Sequence, residues 1–101
     1  MKFSDSIAKY LFNSNYTHCY FVAGGNIMHL INSFRESFTC IPVVHEVAAV
    51  IASEYHNTNY NSGKVGNKVK KAFALVTAGP GLTNTITGLA GAWLESRELL
   101  V

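Results

Sequence analysis

KAFALVTAGPGLTNTITGLAGAW, residues Lys71 to Trp93, is the stretch that decides the fold. It starts as an apolar run typical of a buried strand, passes through Gly79-Pro80-Gly81, and continues with small and apolar residues at helical spacing. Glycine lets a ligand approach the main chain, and proline fixes φ and stiffens the turn. The pattern predicts a strand, a tight turn, and a helix whose free N–H groups face the end of that strand.

The same order of strand, turn and helix occurs twice before this stretch. Thr17 to Val22 is an aromatic and β-branched run that predicts a strand ending at Gly24-Gly25. Asn26 follows the two glycines and is expected to cap the next helix. Phe38 to Val44 predicts a second strand, which leads through His45-Glu46 into another helix. The chain therefore repeats one supersecondary unit.

Strands that alternate with helices predict an α/β fold with a parallel sheet and helices on both faces. A first helix is expected from Ser4 to Asn13, and a last one from Leu82 to Ser96. The helix from His45 to Tyr55 is apolar on nearly every side, which predicts that it is buried all round. Residues 57–71 are polar and rich in asparagine, so we expect a surface loop, either a tolerated insertion or a lid.

The turns after parallel strands lie at one edge of the sheet, and open α/β sheets bind their ligands at that edge. Gly24-Gly25, His45-Glu46 and Gly79-Pro80-Gly81 should therefore lie close together. A carboxylate there is costly to bury without a partner that shares its proton. Two alternatives stay open for Glu46 at this point: a ligand-binding carboxylate, or a first-turn glutamate stabilised by the helix dipole. The glycine-proline turn by itself is equally consistent with a tight turn that holds no ligand.

Composition excludes several functional classes. The 101 residues are 49% hydrophobic and 14% charged, and a net charge of +2 is too weak to indicate nucleic-acid binding. The N-terminus lacks the apolar core of a signal peptide, and no apolar run approaches the roughly 20 residues of a membrane span. Cys19 and Cys40 lie in apolar runs and are expected to be core thiols of a cytoplasmic protein.

Familiar motifs for metals and phosphates are absent from the sequence. A zinc-binding HExxH motif starting at His45 would need a second histidine where the chain has Ala49. The glycine fingerprint of dinucleotide-binding proteins fails because Asn84 stands where its third glycine should be, and there is no phosphate-loop motif. A zinc hydrolase is thereby excluded, and a nucleotide-binding α/β protein is a weak alternative.

The combination of VVHE before an alanine-rich helix and ALVTAGPGLTNTITGLAGAW resembles the thiamine-diphosphate-dependent enzymes of the acetolactate synthase type. The resemblance covers essentially the whole chain and is to their N-terminal pyrimidine-binding domain. It implies the thiamine-diphosphate-binding fold and an enzyme that acts on a small-molecule 2-keto acid as a homodimer or homotetramer. The reaction it implies is carboligation. A 2-keto-acid decarboxylase stays open as an alternative.

The resemblance also implies roles for particular residues. Glu46 matches the glutamate that hydrogen-bonds N1′ of the cofactor's aminopyrimidine ring and promotes ylid formation, so Glu46 is the implied catalytic residue. Pro80 and Asn84 match residues near the pyrimidine, and Gly24 and Gly25 match a turn that presents its backbone to the ring. The cofactor performs the carbanion chemistry, and the protein supplies the proton partner and the enclosure.

Parts of the family pattern have no counterpart among these residues. In the family, a separate C-terminal domain binds the diphosphate through Mg²⁺, so no metal ligand is assigned here, and some relatives also carry FAD, which stays open. Leu99-Leu100-Val101 has the composition of a strand that is just beginning. We therefore expect residues 1–101 to be a truncated pyrimidine-binding domain that is inactive alone. The non-catalytic alternative is a domain that acts only in subunit association.

Overall fold

The computed structural model describes residues 2–101. Strand β1 (Tyr16–Phe21) is the central strand of a three-stranded sheet, between β2 (Thr39–Pro42) and β3 (Lys71–Leu75). Both pairs are parallel, with Cys19 opposite Cys40 on one side and opposite Phe73 on the other. The predicted parallel sheet is confirmed.

Within residues 2–101, five α-helices accompany the sheet: α1 (Phe3–Asn13), α2 (Met28–Phe34), α3 (Glu46–Tyr55), α4 (Pro80–Thr83) and α5 (Ile86–Leu94). The single last helix predicted from Leu82 is wrong, because the chain forms two helices separated at Asn84 and Thr85. The hydroxyl of Thr85 donates to the carbonyl of Leu82. Such local side-chain bonds compete with helix continuation, which explains the break.

The two faces of the sheet carry separate cores because successive strand residues point to opposite sides. On one face the rings of Phe34, Phe38 and Phe73 pack edge to face, next to buried residues of α1. On the other face α3 packs through Ala49 and Val50 against Ala74 of β3. The prediction of helices on both faces is therefore confirmed.

The prediction that the third helix is buried on all sides is wrong. Its buried residues are Ala49, Val50 and Ser53, whereas Ile51 is 51% exposed and Tyr55 is 63% exposed. The sheet covers one side of α3, and α5 covers part of another through the contact of Gly88 with Val50. The remaining apolar side chains of α3 face outward.

The segment expected to be an irregular loop is partly ordered. A π-helical turn (His56–Tyr60) extends α3, and a short 3₁₀ turn (Gly66–Lys68) follows. The side chain of Asn57 bonds both the N–H and the carbonyl of Ala72 at 2.7 and 3.0 Å, and Asn61 does the same for Lys70. The two asparagines thus replace a neighbouring strand along the edge of β3.

The last residues lie beside β3 but do not form the strand that their composition predicts. The backbone N–H of Ala74 donates to the carbonyl of Leu100 at 3.0 Å, and Leu99 packs against the core beneath α3.

Cys19 is buried, Cys40 is half-buried and both are free thiols, as expected. Burial raises the pKa of both thiols. Among the residues that the structure describes, no helix is long and apolar enough to cross a membrane.

Candidate functional site

The three turns after the strands meet at one edge of the sheet, as predicted. A Cβ added to Gly24, in the first turn, would lie 2.7 Å from the Cβ of Thr77 at the end of the third strand. A Cβ added to Gly81 would lie 2.7 Å from the Cγ2 of Thr77 and 3.8 Å from Oε2 of Glu46. The third turn is therefore within contact distance of both the first and the second. The absence of side chains at the two glycines makes this approach sterically feasible.

Glu46 is the first residue of α3, and the helix start fixes its position. His45 caps the helix, since its ring Nδ1 accepts a hydrogen bond from the N–H of Val47 at 3.1 Å. This contact gives His45 a structural role. The cap holds the helix start, and the Glu46 side chain extends from it along the sheet edge.

The carboxylate of Glu46 is paired with the amide of Asn84. The Nδ2 of Asn84 donates to Oε1 of Glu46 at 3.1 Å. This hydrogen bond, followed by one from the glutamate's own backbone, lowers the pKa of Glu46 below its ordinary value. The side chain is accessible to solvent, so the burial cost anticipated from the sequence is small, and Glu46 is ionised at neutral pH.

The glycine-proline turn positions Asn84. Gly79 adopts φ 76° and ψ −124°, a conformation that residues with a Cβ rarely adopt. Pro80 then begins α4, where its missing N–H costs nothing. The backbone N–H of Asn84 donates to the carbonyl of Pro80 at 3.0 Å, so the amide lies one helical turn after the proline. The short helix thus carries Asn84 to Glu46.

The first turn exposes its backbone at the same edge. Gly24 precedes a 3₁₀ turn (Gly25–Ile27), and no atom lies within 4 Å of the position that a Cβ on Gly25 would occupy. The prediction that Asn26 caps the next helix is wrong. Its Oδ1 instead accepts a hydrogen bond from the hydroxyl of Thr77. The reason is that Asn26 lies inside the 3₁₀ turn, ahead of the first residue of α2.

The structure therefore brings together Gly24, Glu46 and Asn84, while Gly25 and Pro80 share the edge as their chain neighbours. The residue that sequence reasoning missed is Thr77. Its only signal in the sequence is its position, directly between a buried strand and the glycine-proline turn. No local pattern shows that a side chain at this position reaches a turn 51 residues earlier.

The chemistry of this edge fits a flat nitrogen heterocycle. An ionised carboxylate accepts a hydrogen bond from a protonated ring nitrogen, and bare backbone at a glycine lets a ring approach closely. Within residues 2–101 there is no group of three or more His, Cys, Asp or Glu side chains arranged to hold a metal ion. The edge is thus equipped to bind and polarise a ring.

A larger depression lies elsewhere on the described surface. It has a volume of about 970 Å³ and runs along the outward side of α3, between His45 and Tyr60. Its lining is mostly apolar and includes Tyr20, Ile51 and Tyr55. It lies beside the exposed flank of the helix, whereas the polar groups converge at the sheet edge. We therefore assign the candidate site to the edge.

Comparison with known proteins gives one family match. The family model described as "Thiamine pyrophosphate enzyme, N-terminal TPP binding domain" matches residues 1–101.

Three curated relatives share part of this chain's sequence. The acetolactate synthase large subunit of Buchnera aphidicola subsp. Schizaphis graminum (strain Sg) is 29% identical over 100 residues, covering 97% of this chain and 16% of that protein. The acetolactate synthase large subunit of Lactococcus lactis subsp. lactis (strain IL1403) is 38% identical over 80 residues, covering 77% and 12%. The 2-hydroxyacyl-CoA lyase 2 of Xenopus laevis is 36% identical over 81 residues, covering 79% and 11%. The chain thus spans at most 16% of the length of these relatives.

Proposed function

The chain belongs to the thiamine pyrophosphate enzymes, as their N-terminal TPP-binding domain, and from this premise we propose that it holds the cofactor's aminopyrimidine ring. The ring would lie at the sheet edge, against the backbone of Gly24 and Gly25 and beside Pro80, with N1′ facing Glu46. The observation that carries the proposal is the Glu46–Asn84 hydrogen bond of 3.1 Å, which joins the second and third turns at this edge.

The residues present fit such a ring in three respects. The Glu46 carboxylate is accessible and ionised, so it accepts a hydrogen bond from a protonated ring nitrogen. The space over Gly25 is open, so a flat ring can approach the backbone there. The amide of Asn84 restrains the carboxylate from one side, which reduces the conformational entropy lost when a ligand binds.

When bound, thiamine diphosphate supplies a carbon nucleophile that attacks the carbonyl of a 2-keto acid. In the proposal, Glu46 holds a proton at ring atom N1′ and thereby shifts the ring toward the tautomer that accepts a proton at its exocyclic nitrogen. Asn84 keeps the carboxylate oriented toward that nitrogen. The glycine turns hold the ring and exclude water from its flat face. The proposal thus gives Glu46 control of the proton at N1′ and gives its neighbours an orienting role.

The role of Glu46 is tested by Glu46→Gln in the full-length protein. Glutamine keeps the shape and removes the ionisable group, and loss of a positioned proton-transfer group costs on the order of 10²–10⁴ in rate. The matched control is Glu36→Gln, the same change at an exposed glutamate after α2. Turnover of Glu46→Gln within a few-fold of wild type would contradict the proposal.

The overall reaction is proposed to be an acetolactate-synthase-like carboligation of a 2-keto acid. The names of two of the three relatives support it, and the third favours a lyase as the second candidate. A 2-keto-acid decarboxylase is a further hypothesis. Product analysis separates them when the full-length protein is given pyruvate and other 2-keto acids with thiamine diphosphate and Mg²⁺. A carboligase yields a 2-hydroxy-3-keto acid product, a decarboxylase yields free aldehyde, and a lyase alone uses 2-hydroxyacyl-CoA.

The diphosphate and Mg²⁺ are proposed to be held by residues outside this chain segment, since the edge offers a carboxylate and an amide for the ring alone. FAD binding and a cytoplasmic location stay predictions. Cofactor content is measured by mass spectrometry of the protein after release under denaturing conditions. Mg²⁺-dependent binding of thiamine diphosphate is the result that supports the assignment.

Subunit association, as a homodimer or homotetramer, is also proposed. Apolar side chains on α3 and α5 are exposed, including Trp93 at 82% and Leu94 at 80%. Exposed apolar groups at this density mark association surfaces. Sedimentation of the full-length protein tests the proposal, with Trp93→Ser expected to weaken association. Tyr10→Ser, at an exposed aromatic residue of α1, is the control. A stable wild-type monomer would contradict it, and association without cofactor binding would favour the non-catalytic alternative.

A further inference from the structure

Thr77 lies between the first and the third turn of the site edge. It lies two residues after the end of β3 and is half-buried. Its Cβ lies 2.7 Å and its Oγ1 2.9 Å from the position that a Cβ on Gly24 would occupy. Its Cγ2 lies 2.7 Å from the corresponding position on Gly81. Real Cβ contacts are never this short, so one threonine side chain fills the space that both glycines leave open.

The hydroxyl of Thr77 adds a directional bond to this packing. It donates to Oδ1 of Asn26, which belongs to the 3₁₀ turn after Gly24. The two residues are 51 positions apart in the sequence. Because threonine is β-branched, its χ1 angle is restricted, and a contact made by both branches fixes the position of the first turn relative to the third.

Thr77 is coupled to the carboxylate through Gly81. The Cβ position of Gly81 lies between the methyl of Thr77, at 2.7 Å, and Oε2 of Glu46, at 3.8 Å. A shift of Thr77 therefore moves the backbone that lies under the carboxylate. Gly81 is also one turn before Asn84, so the same shift alters the donor that holds Glu46.

We infer that Thr77 is a positioning residue for the ring site: its hydroxyl fixes the first turn, and its methyl sets the spacing of the third turn beneath Glu46. The inference rests on the proposed function, since the ring site it serves is the proposed one. It assigns Thr77 no contact with the reacting atoms. Its effect reaches the ring through Asn26 and Gly81.

The test measures the dissociation constant of thiamine diphosphate by calorimetry, with Mg²⁺, in the full-length protein. Thr77→Val keeps the branched shape and removes the hydroxyl, whereas Thr77→Ser keeps the hydroxyl and removes the methyl. Thr77→Val is expected to weaken binding about three- to tenfold, the range for loss of one neutral hydrogen bond. Thr77→Ser is expected to bind more tightly than Thr77→Val. The melting temperature of each variant is measured in parallel, and a positioning role predicts weaker binding without a matching loss of stability.

A double-mutant cycle with Asn26→Ala strengthens the test. Because Thr77→Val and Asn26→Ala remove the same hydrogen bond, the double variant should bind about as weakly as the weaker single variant. Additive losses would overturn the inference. So would wild-type affinity in Thr77→Val, or a loss that Thr77→Ser does not reduce. If Thr77→Val unfolds, the affinity of Asn26→Ala is the deciding measurement, because this variant leaves the packing of Thr77 on the two glycines intact. Wild-type affinity in Asn26→Ala then overturns the inference.

The cycle also separates this inference from the proposed function. A wild-type protein that shows no saturable binding of thiamine diphosphate overturns the proposed function, and the role of Thr77 with it. A wild-type protein that binds the cofactor and a Thr77→Val variant that binds equally well overturn the role of Thr77 alone.

Discussion

Asn84 donates a hydrogen bond from Nδ2 to Oε1 of Glu46 at 3.1 Å, across 38 residues of sequence. One partner lies at the start of α3 and the other at the end of α4, so the bond links two turns that follow different strands. It is also the largest cause of the lowered pKa of Glu46. The geometry of the site edge and the charge state of its carboxylate therefore depend on the same contact.

Replacing Asn84 by alanine should raise the pKa of Glu46 toward its ordinary value. The amide donor stabilises the ionised carboxylate, so its loss makes protonation easier. Because the folded-state pKa is lowered in wild type, the stability contributed by Glu46 is present above the unfolded pKa and is lost as the pH falls. NMR titration of the Glu46 carboxyl carbon measures the shift. An unchanged pKa in Asn84→Ala, with Asn59→Ala as the control, would contradict the assignment.

Gly88→Ala should destabilise the protein, whereas Gly91→Ala should not. A Cβ on Gly88 would lie 2.4 Å from Cγ1 of Val50, and overpacking of this kind costs about 1–3 kcal/mol. Gly91 lies one turn later on α5, and nothing lies within 4 Å of its Cβ position. Alanine there should stabilise the helix by about 0.5–1 kcal/mol. Chemical denaturation of the two variants checks the pair, and equal effects would show that α5 does not pack on α3 as described.

Asn57→Ala should destabilise the edge of β3. The Asn57 side chain bonds both backbone groups of Ala72, which is fully buried, and also the carbonyl of Glu98. Its removal leaves buried backbone groups without these partners, at a cost of about 1–3 kcal/mol. Asn59→Ala, in the same segment, removes one exposed bond to the carbonyl of Tyr55 and is the matched control. Equal stability of the two variants by denaturant titration would contradict a stabilising role for the Asn57–Ala72 hydrogen bonds.

Stability should fall as the pH drops below about 6.5, the ordinary pKa of histidine. The rings of His18 and His56 lie 4.6 Å apart, near Lys64 and Lys70. Burial is the main cause that lowers the pKa of both histidines. The fold therefore favours their neutral forms, so this stability is complete above the unfolded pKa and is lost as the pH falls through the folded values.

Melting temperatures across pH 5 to 8 measure this effect. His56→Gln should flatten the pH dependence for two reasons. It removes one histidine that the fold favours in its neutral form, and it removes the charge repulsion that His56 exerts on His18 when both are protonated. His29→Gln, at an exposed histidine of α2, is the control. A pH dependence that survives unchanged in both His18→Gln and His56→Gln would refute the explanation.

Local patterns predicted most of the elements correctly. The apolar runs placed all three strands, and the helix expected from Ser4 to Asn13 corresponds to α1. The break near Asn84 was missed, because a side-chain bond such as that of Thr85 to the carbonyl of Leu82 decides where the helix is interrupted. The burial of α3 was overestimated for a different reason. Periodicity shows that a face is apolar, but it does not show what covers that face.

The sequence by itself determined the order of strands, turns and helices, the family, and the identity of Gly24, Gly25, Glu46, Pro80 and Asn84 as site candidates. The tertiary structure decided which side chains meet. The contacts of Thr77 with Asn26 and Gly81, and of Asn57 with Ala72, join residues that no local pattern relates. The physical reason is that backbone dihedral preferences and hydrophobic periodicity act over a few residues. Strand order and register bring distant residues together, and these arise only when the whole sheet forms.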